Sequence, residues 1–217
     1  ALSSAASDVY KRQEIDFTVQ VFNRGNTAGP SHQITAQAEK ASPTFGTPVK
    51  LALDGKKIWT NAPFPTRPVT ALVDGDITNF FHSQWQTTVA MPHYLVIDLG
   101  EEVSAIKFRS TNTNRLADSS WKTINLYTSD DYNPAQWFDG VKFINGDSVD
   151  ISQAGTHKET TLTELPDGTS EVYNSEIIPL SKPSRYLWFE VTETTKGTSY
   201  FALGELEIYK CSMVVPE

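Results

Sequence analysis

Between Ala71 and Trp85 the chain reads A-L-V-D-G-D-I-T-N-F-F-H-S-Q-W, and P-H-Y-L-V-I-D-L-G follows from Pro92 to Gly100. Asp74, Asp76 and Asn79 gather oxygen donors on one short turn, the kind of ligand calcium takes in sets of about six to eight. Without further support the same Asp-Gly-Asp string is an ordinary surface turn. Phe80, Phe81, His82 and Trp85 crowd the residues that follow. An acidic turn running into an aromatic cluster suits a cation-stapled loop beside a ligand-facing edge better than a catalytic centre. Glycoside hydrolysis needs two carboxylates at a defined separation, and no motif marks such a pair among the 26 acids. A G-x-S-x-G nucleophile elbow, a P-loop and a dinucleotide fingerprint are absent from the sequence,. His32, His82, His93 and His157 lack the H-x-x-x-H spacing of a zinc enzyme,.

The elements that must position these residues read as strands. Leu95, Ile97 and Leu99 share one face of Tyr94 to Leu99; Ile106 and Phe108 do so in Ser104 to Phe108, and Ile124 and Leu126 in Lys122 to Thr128,. Further strands are expected at Val141 to Ile144, Glu176 to Leu180, Tyr186 to Val191 and Glu205 to Tyr209. In Tyr186 to Val191 both faces are apolar or aromatic, which implies cover on both sides. Asn145 to Asn174 reads as a polar excursion with a short hairpin around Leu162 to Val172. Ile15 to Phe22 alternates with a two-residue period, Asn23 to Asn26 supplies a turn, and a weaker strand follows at Gln33 to Ala38. All-β is therefore the expected class, with a hairpin over residues 14–42 ahead of a larger domain over 43–210 and a tail at 211–217. Ala1 to Gln13 resembles a non-native leader, so that any export signal is expected upstream of this fragment.

Composition bounds the partners. A net charge of −8 with no Lys/Arg cluster disfavours nucleic acid and anionic membrane surfaces,. No run of about 18 apolar residues suggests a membrane span. The single cysteine, Cys211, excludes an internal disulfide framework and a cysteine zinc site,.

The two strings above, with L-Y-T-S-D-D at Leu126 to Asp131, R-Y-L-W-F-E-V at Arg185 to Val191 and L-G-E-L-E-I-Y at Leu203 to Tyr209, resemble the coagulation factor 5/8 type C, or discoidin, family, which includes the family 32 carbohydrate-binding modules. The resemblance covers roughly residues 48 to 210. It implies an eight-stranded jelly-roll β-sandwich of the galactose-binding-domain type, with ligands taken by loops at one end. It also implies a non-catalytic module outside the cytoplasm of a bacterium, tethering a larger exported protein to glycans, galactose-type among them. The same loops serve other members for adhesion or protein contacts, and a spacer without ligand is the third reading. F-N-R-G-N-T-A-G-P-S at Phe22 to Ser31 resembles the turn before the last strand of fibronectin type III modules, which makes the hairpin the end of a truncated upstream domain.

Carried over by position, the family's structural calcium would be held by the Ala71 carbonyl, Asp74, Asp76, Asn79, the Gly204 carbonyl and the Glu205 carboxylate. Asn79 stands where the family usually has Thr. For the ligand face, sugars are recognised by an aromatic ring on their C–H face and polar side chains on their hydroxyls. Trp85, in the polar stretch H-S-Q-W-Q-T-T, either meets ligand or packs between strands, and His82 either bonds ligand or is a satisfied structural histidine. Arg115 matches a ligand-facing Arg of the family, with Asn112 and Trp121 flanking it; its alternative is an ion pair with Asp118 or another nearby acid. Trp121 either stacks on ligand or opens the next strand. The loop G-T-S-Y-F-A-L-G offers Tyr200 or Phe201 near the same ligand-facing end, Tyr200 expected exposed as the ligand candidate and Phe201 buried, while Phe80, Phe81, Trp137 and Trp188 are expected in the core.

Overall fold

A computed structural model describes residues 14–22, 28–37, 43–115, 119–129, 138–139, 142–143 and 151–214. The expected leader at 1–13, Asp118, Trp137 and the last three residues of the tail lie outside them. The chain divides into two compact units, residues 1–44 and 45–217. In the first, β1 (Glu14–Phe22) and β2 (Ala28–Gln37) form an antiparallel hairpin, with Phe17 opposite Ile34 and Val19 opposite His32. The second strand begins well before the expected Gln33.

A short β3 (Thr44–Phe45) spans the boundary between the units. The second unit runs through β4 (Val49–Lys50), β5 (Ile58–Thr60), β6 (Phe81–His82), β7 (His93–Thr111), β8 (Trp121–Ser129), β9 (Phe138–Asp139), β10 (Lys142–Phe143), β11 (His157–Leu162), β12 (Val172–Asn174), β13 (Ile178–Thr194), β14 (Ala202–Leu203), β15 (Glu205–Lys210) and β16 (Met213–Val214). Two expected pairs of strands are each one long strand. The expected breaks are bends: Gly100, at φ +82°, takes a left-handed conformation open to glycine and carries β7 onward,, and β13 loses register between Pro179 and Tyr186. The expected hairpin around Leu162 to Val172 is not formed. Its arms go to different partners, β11 to β8 and β12 to β7.

These bends share β7 and β13 between two layers. Residues 93–98 of β7 pair with 186–191 of β13, with β5 on the other side of β7 and β8 and β11 beyond β13. Residues 103–111 of β7 pair with the start of β13, with β12 and with β15, and β4 lies outside β15. Leu95, Ile97, Ile124, Leu126, Leu187 and Phe189 of one layer meet Ile106, Phe108, Leu206 and Ile208 of the other in one core. The fold is an all-β sandwich. The alternation along β7 and β13 also buries the opposite face of the first layer, where Tyr94, Val96, Tyr186 and Trp188 cluster. Trp188 donates its indole N–H to Ser129 Oγ at 3.0 Å. Glu190 accepts from Tyr94, Asn125 and Tyr127 across three strands; burial, then the Glu190 charge, pushes the Tyr127 hydroxyl up to about 12.

Candidate functional site

The long connection from β4 to β7 carries most of the loops around the candidate site. Pro63, Pro65 and Pro68 punctuate residues 62–68, and each fixes its own φ,. Within that stretch the Arg67 N–H donates to the Phe64 carbonyl at 3.0 Å, closing a turn. A 3₁₀ turn at Val69–Leu72 follows and buries Val69, Ala71 and Leu72. After the acidic turn the chain re-enters as β6, whose Phe81 and His82 pair with Leu203 and Ala202 of β14. The Ser83 N–H donates to the Phe201 carbonyl at 2.9 Å, and the Phe201 N–H to Ser83 Oγ at 3.0 Å. That ladder draws Tyr200 against His82. The Gln84 N–H to Ala62 carbonyl bond, 2.9 Å, and the His82 N–H to Arg67 carbonyl bond, 3.2 Å, bring in the proline loop.

The result is a cleft of about 460 Å³. Phe64, His82, Trp85 and Tyr200 supply its aromatic wall: ring centroids lie 5.3 Å apart for His82 and Tyr200, 5.7 Å for Phe64 and Trp85, and 6.1 Å for His82 and Trp85. Trp85 is 51% exposed. Phe80 lies under the polar side of the cleft, with the guanidinium carbon of Arg67 4.1 Å and that of Arg115 5.6 Å from its ring centroid. Thr66 and Gln86 complete the lining. His82 donates Nδ1–H to the Ser83 carbonyl at 2.6 Å, a tautomer that makes Nε2 the acceptor of the neutral ring,. A larger recess, about 500 Å³, lies beside Asp74 and Glu205. It has no aromatic ring to stack on a sugar, so the smaller cleft is the better ligand site.

Trp85, His82, Arg115 and Tyr200, four of the residues singled out by sequence, meet in this cleft. Trp121 and Asn112 do not. Trp121 is 1% exposed and stacks on Phe201 at 6.2 Å and 13° within the sandwich, because it opens β8 on its core-facing side. Asn112 is 4% exposed and spends its amide N–H groups on the Pro166 and Gly168 carbonyls, at 2.9 and 3.0 Å, tying down a neighbouring loop. Phe81 is in the core as expected, whereas Phe80, though buried, stands apart from the central cluster beneath the two arginines. Phe64 and Arg67 were missed. The available signal was a Phe and an Arg set among three closely spaced prolines, a rigid loop unable to join a sheet.

The candidate cation site is held differently from its sequence picture. Asp74 Oδ1 accepts the Asp76 N–H at 2.9 Å, and its Oδ2 accepts the Asn79 amide at 2.5 Å. Asp76 turns to Thr78, accepting its N–H at 2.9 Å and its hydroxyl at 2.6 Å. Among the described residues no three His, Cys, Asp or Glu side chains form a metal-holding group. Glu205 is 8% exposed, and its Oε1 has no hydrogen-bond partner among the described residues. Burial, then the facing Asp74 carboxyl, pushes Glu205 up to about 7 against the opposing amides of Gly75 and Asp76. Two facing carboxyl groups, one buried with an orphan oxygen, fit a cation completed by backbone oxygens. Ala71 and Gly204 sit at the 3₁₀ turn and at the start of β15 that flank this pair.

No protein-family model and no curated protein matches the chain in sequence. Solved structures match it in fold. A family 32 carbohydrate-binding module from Clostridium perfringens in complex with GalNAc-β-1,3-galactose superposes with a TM-score of 0.55 at 13% identity, covering 74% of this chain and 99% of that one. The C-terminal domain of a chitobiase from Bacteroides fragilis gives 0.55 at 16% identity, over 76% of this chain and 99% of that one. A second Clostridium perfringens family 32 module, in complex with galactose, gives 0.50 at 13%, over 75% and 100%. The second unit thus shares the β-sandwich fold of these modules. Among the described residues no helix is long and apolar enough to cross a membrane.

Proposed function

We propose that this chain is a non-catalytic carbohydrate-binding module that holds a larger exported bacterial protein on a glycan. The observation that carries the reading is the cleft itself: an exposed Trp85 beside Tyr200 and His82, opposite two arginines. A pyranose ring stacks its C–H face on Trp85 while His82, Gln86 and Arg115 meet its hydroxyls. Catalysis is disfavoured because the described cleft lining contains no Asp or Glu, and glycoside hydrolysis needs two carboxylates. Galactose-type sugars are the first ligands to try, since two solved proteins of this fold hold galactose-containing ligands. The hairpin over residues 14–42 is proposed to end a preceding fibronectin type III-like domain. We also propose a structural calcium between Asp74 and Glu205, with the carbonyls of Ala71 and Gly204 and the oxygens of Asn79 and Asp76 completing its shell.

The test is a broad glycan array followed by calorimetric titration of each hit with the intact chain and with Trp85→Ala. Binding that the substitution reduces supports the reading. A well-folded chain without hits, or hits indifferent to Trp85→Ala, would leave the adhesion and spacer readings in its place.

A further inference from the structure

The aromatic cleft does not stand alone. Arg115 is also in the wall of a second recess, of about 230 Å³, lined by Asn112, Ser120, Asp167, Thr169 and Lys196 as well. The loop between β13 and β14 joins the two a second time, giving Tyr200 to the cleft and Lys196 to the recess. That loop is held by its own hydroxyls: Thr194 donates to the Thr198 carbonyl at 2.8 Å and Thr198 to the Tyr200 carbonyl at 2.6 Å, while the Lys196 N–H donates to Ser119 Oγ at 3.1 Å. The far wall is held too. Besides the two amide bonds of Asn112 to the Pro166 and Gly168 carbonyls, the Asn112 N–H donates to the Glu171 carbonyl at 2.9 Å and the Ser170 N–H to the Thr113 carbonyl at 2.8 Å. The described lining of this recess has no aromatic ring and therefore no stacking face,. It offers hydroxyls and a carboxylate instead. Ser120 is 6% exposed, yet its hydroxyl has no hydrogen-bond partner among the described residues, where a buried hydroxyl ordinarily has one. The Asp167 and Thr169 side chains, both exposed, also have no partner among the described residues.

We infer that the binding site continues past Arg115 and takes a glycan of at least two sugar units, one pyranose stacked on Trp85 and its neighbour in the recess with hydroxyls on Ser120, Asp167 and Thr169. The inference rests on the sugar-binding reading above and adds a second subsite to it. Arg115 enters by position alone, as the ridge between the two. A sugar with no ring to stack on is held by its hydroxyl edge, and a hydroxyl donating to a carboxylate makes one of the stronger hydrogen bonds. Ser and Thr hydroxyls donate and accept, as sugar hydroxyls do. Because backbone and amide bonds already set the walls, the second unit orders little of the protein when it binds.

The experiment titrates the intact chain with the methyl glycosides of galactose, N-acetylgalactosamine and glucose, each beside disaccharides that carry the same unit at either end in the common linkages. At least one disaccharide binding about tenfold or more tighter than its methyl glycoside is the expected result. Asp167→Ala, at an exposed position, lowers that gain at least about threefold, and adding Ser120→Ala abolishes it, while affinity for the methyl glycoside stays within about twofold. Melting curves of each variant establish that it is folded. Disaccharides that bind no tighter than the methyl glycosides, or a gain that survives both substitutions, overturn the inference and leave the cleft as the whole of the site in this part of the surface. A folded chain that binds no sugar of the panel overturns the sugar-binding reading with it.

Discussion

Trp85 and Trp121 have the same side chain and opposite surroundings. Trp121, 1% exposed, touches Phe108, Phe189 and Phe201, so Trp121→Ala opens a cavity and costs about 3–5 kcal/mol of stability. Trp85 is half-exposed and meets the cleft rings of Phe64 and His82; its replacement by Ala changes stability by about 0.5 kcal/mol or less and removes the stacking face. Urea unfolding of both variants, with glycan titration of the second, checks the contrast. Equal destabilisation would contradict it. Glu205 poses the other question at this scale. Its carboxyl is raised in the folded protein, to about 7 from 4.5. The stability linked to that shift is therefore present in full below the unfolded value and is lost as pH rises through about 7, where Glu205 and Asp74 become two facing anions. A calcium ion reverses the penalty by favouring both ionised groups. Added calcium is expected to raise the melting temperature at pH 8 and barely at pH 5. Glu205→Gln should raise the cation-free value at pH 8 and abolish the response. A melt indifferent to calcium and chelator at pH 8 counts against the site.

The long strands β7 and β13 decide the architecture, and an ion pair pins them where they diverge. Arg185 donates Nε–H and one terminal N–H to Asp98 at 2.7 and 2.9 Å, and the Gly100 N–H adds a bond at 2.8 Å beside the bend. Burial pushes the Asp98 carboxyl up, but the Arg185 and Gly100 bonds outweigh it and hold the carboxyl below its ordinary range. A lowered carboxylate contributes stability at pH values above its unfolded value and loses it as pH falls through the folded one. Arg185→Ala should cost about 1–3 kcal/mol at pH 7, with the difference from the parent shrinking as pH falls below the ordinary carboxylate range and through the lowered folded value of Asp98,. A pH series of urea unfolding curves measures this; a difference constant down to pH 2 would show that the ion pair is not its source. These bends also show where sequence reading falls short. Leu95, Ile97 and Leu99, or Leu187, Phe189 and Val191, betray a buried face by alternation. The charged Gly100-Glu101-Glu102 and the Ser181-Lys182-Pro183-Ser184 stretches look like turns because a strand that changes layers exposes its outer side there. β11 lies at a sheet edge with residues largely exposed or half-exposed, and its polar composition erases the period that would have revealed it. The cleft was legible to the same extent. Trp85, His82, Arg115 and Tyr200 stand out as polar-loop aromatics and cations, while the loop of Phe64 and Arg67 is drawn to the site by long-range bonds, the His82 N–H to the Arg67 carbonyl and the Gln84 N–H to the Ala62 carbonyl, that no local spacing encodes.

At the scale of the whole chain the two units are unequal. Every member of the central cluster lies between Leu51 and Ile208, and every described residue of the cleft between Phe64 and Tyr200. The first unit consists, in its described part, of a two-stranded hairpin, a structure that is marginal in water by itself. The second closes two layers around a core that includes Phe108, Trp121, Phe189 and Phe201, enough buried apolar surface for cooperative folding. A protein cut to residues 45–217 should therefore unfold in one cooperative transition and bind the same glycans with the dissociation constant of the full chain. Near-UV circular dichroism during heating, followed by titration with the array's strongest hit, tests both halves of that expectation. A truncated protein lacking a sharp near-UV transition would place part of the folding determinant in residues 1–44. One that folds but loses affinity would move part of the binding surface there, because nothing in the cleft as built from Phe64 to Tyr200 would have been removed.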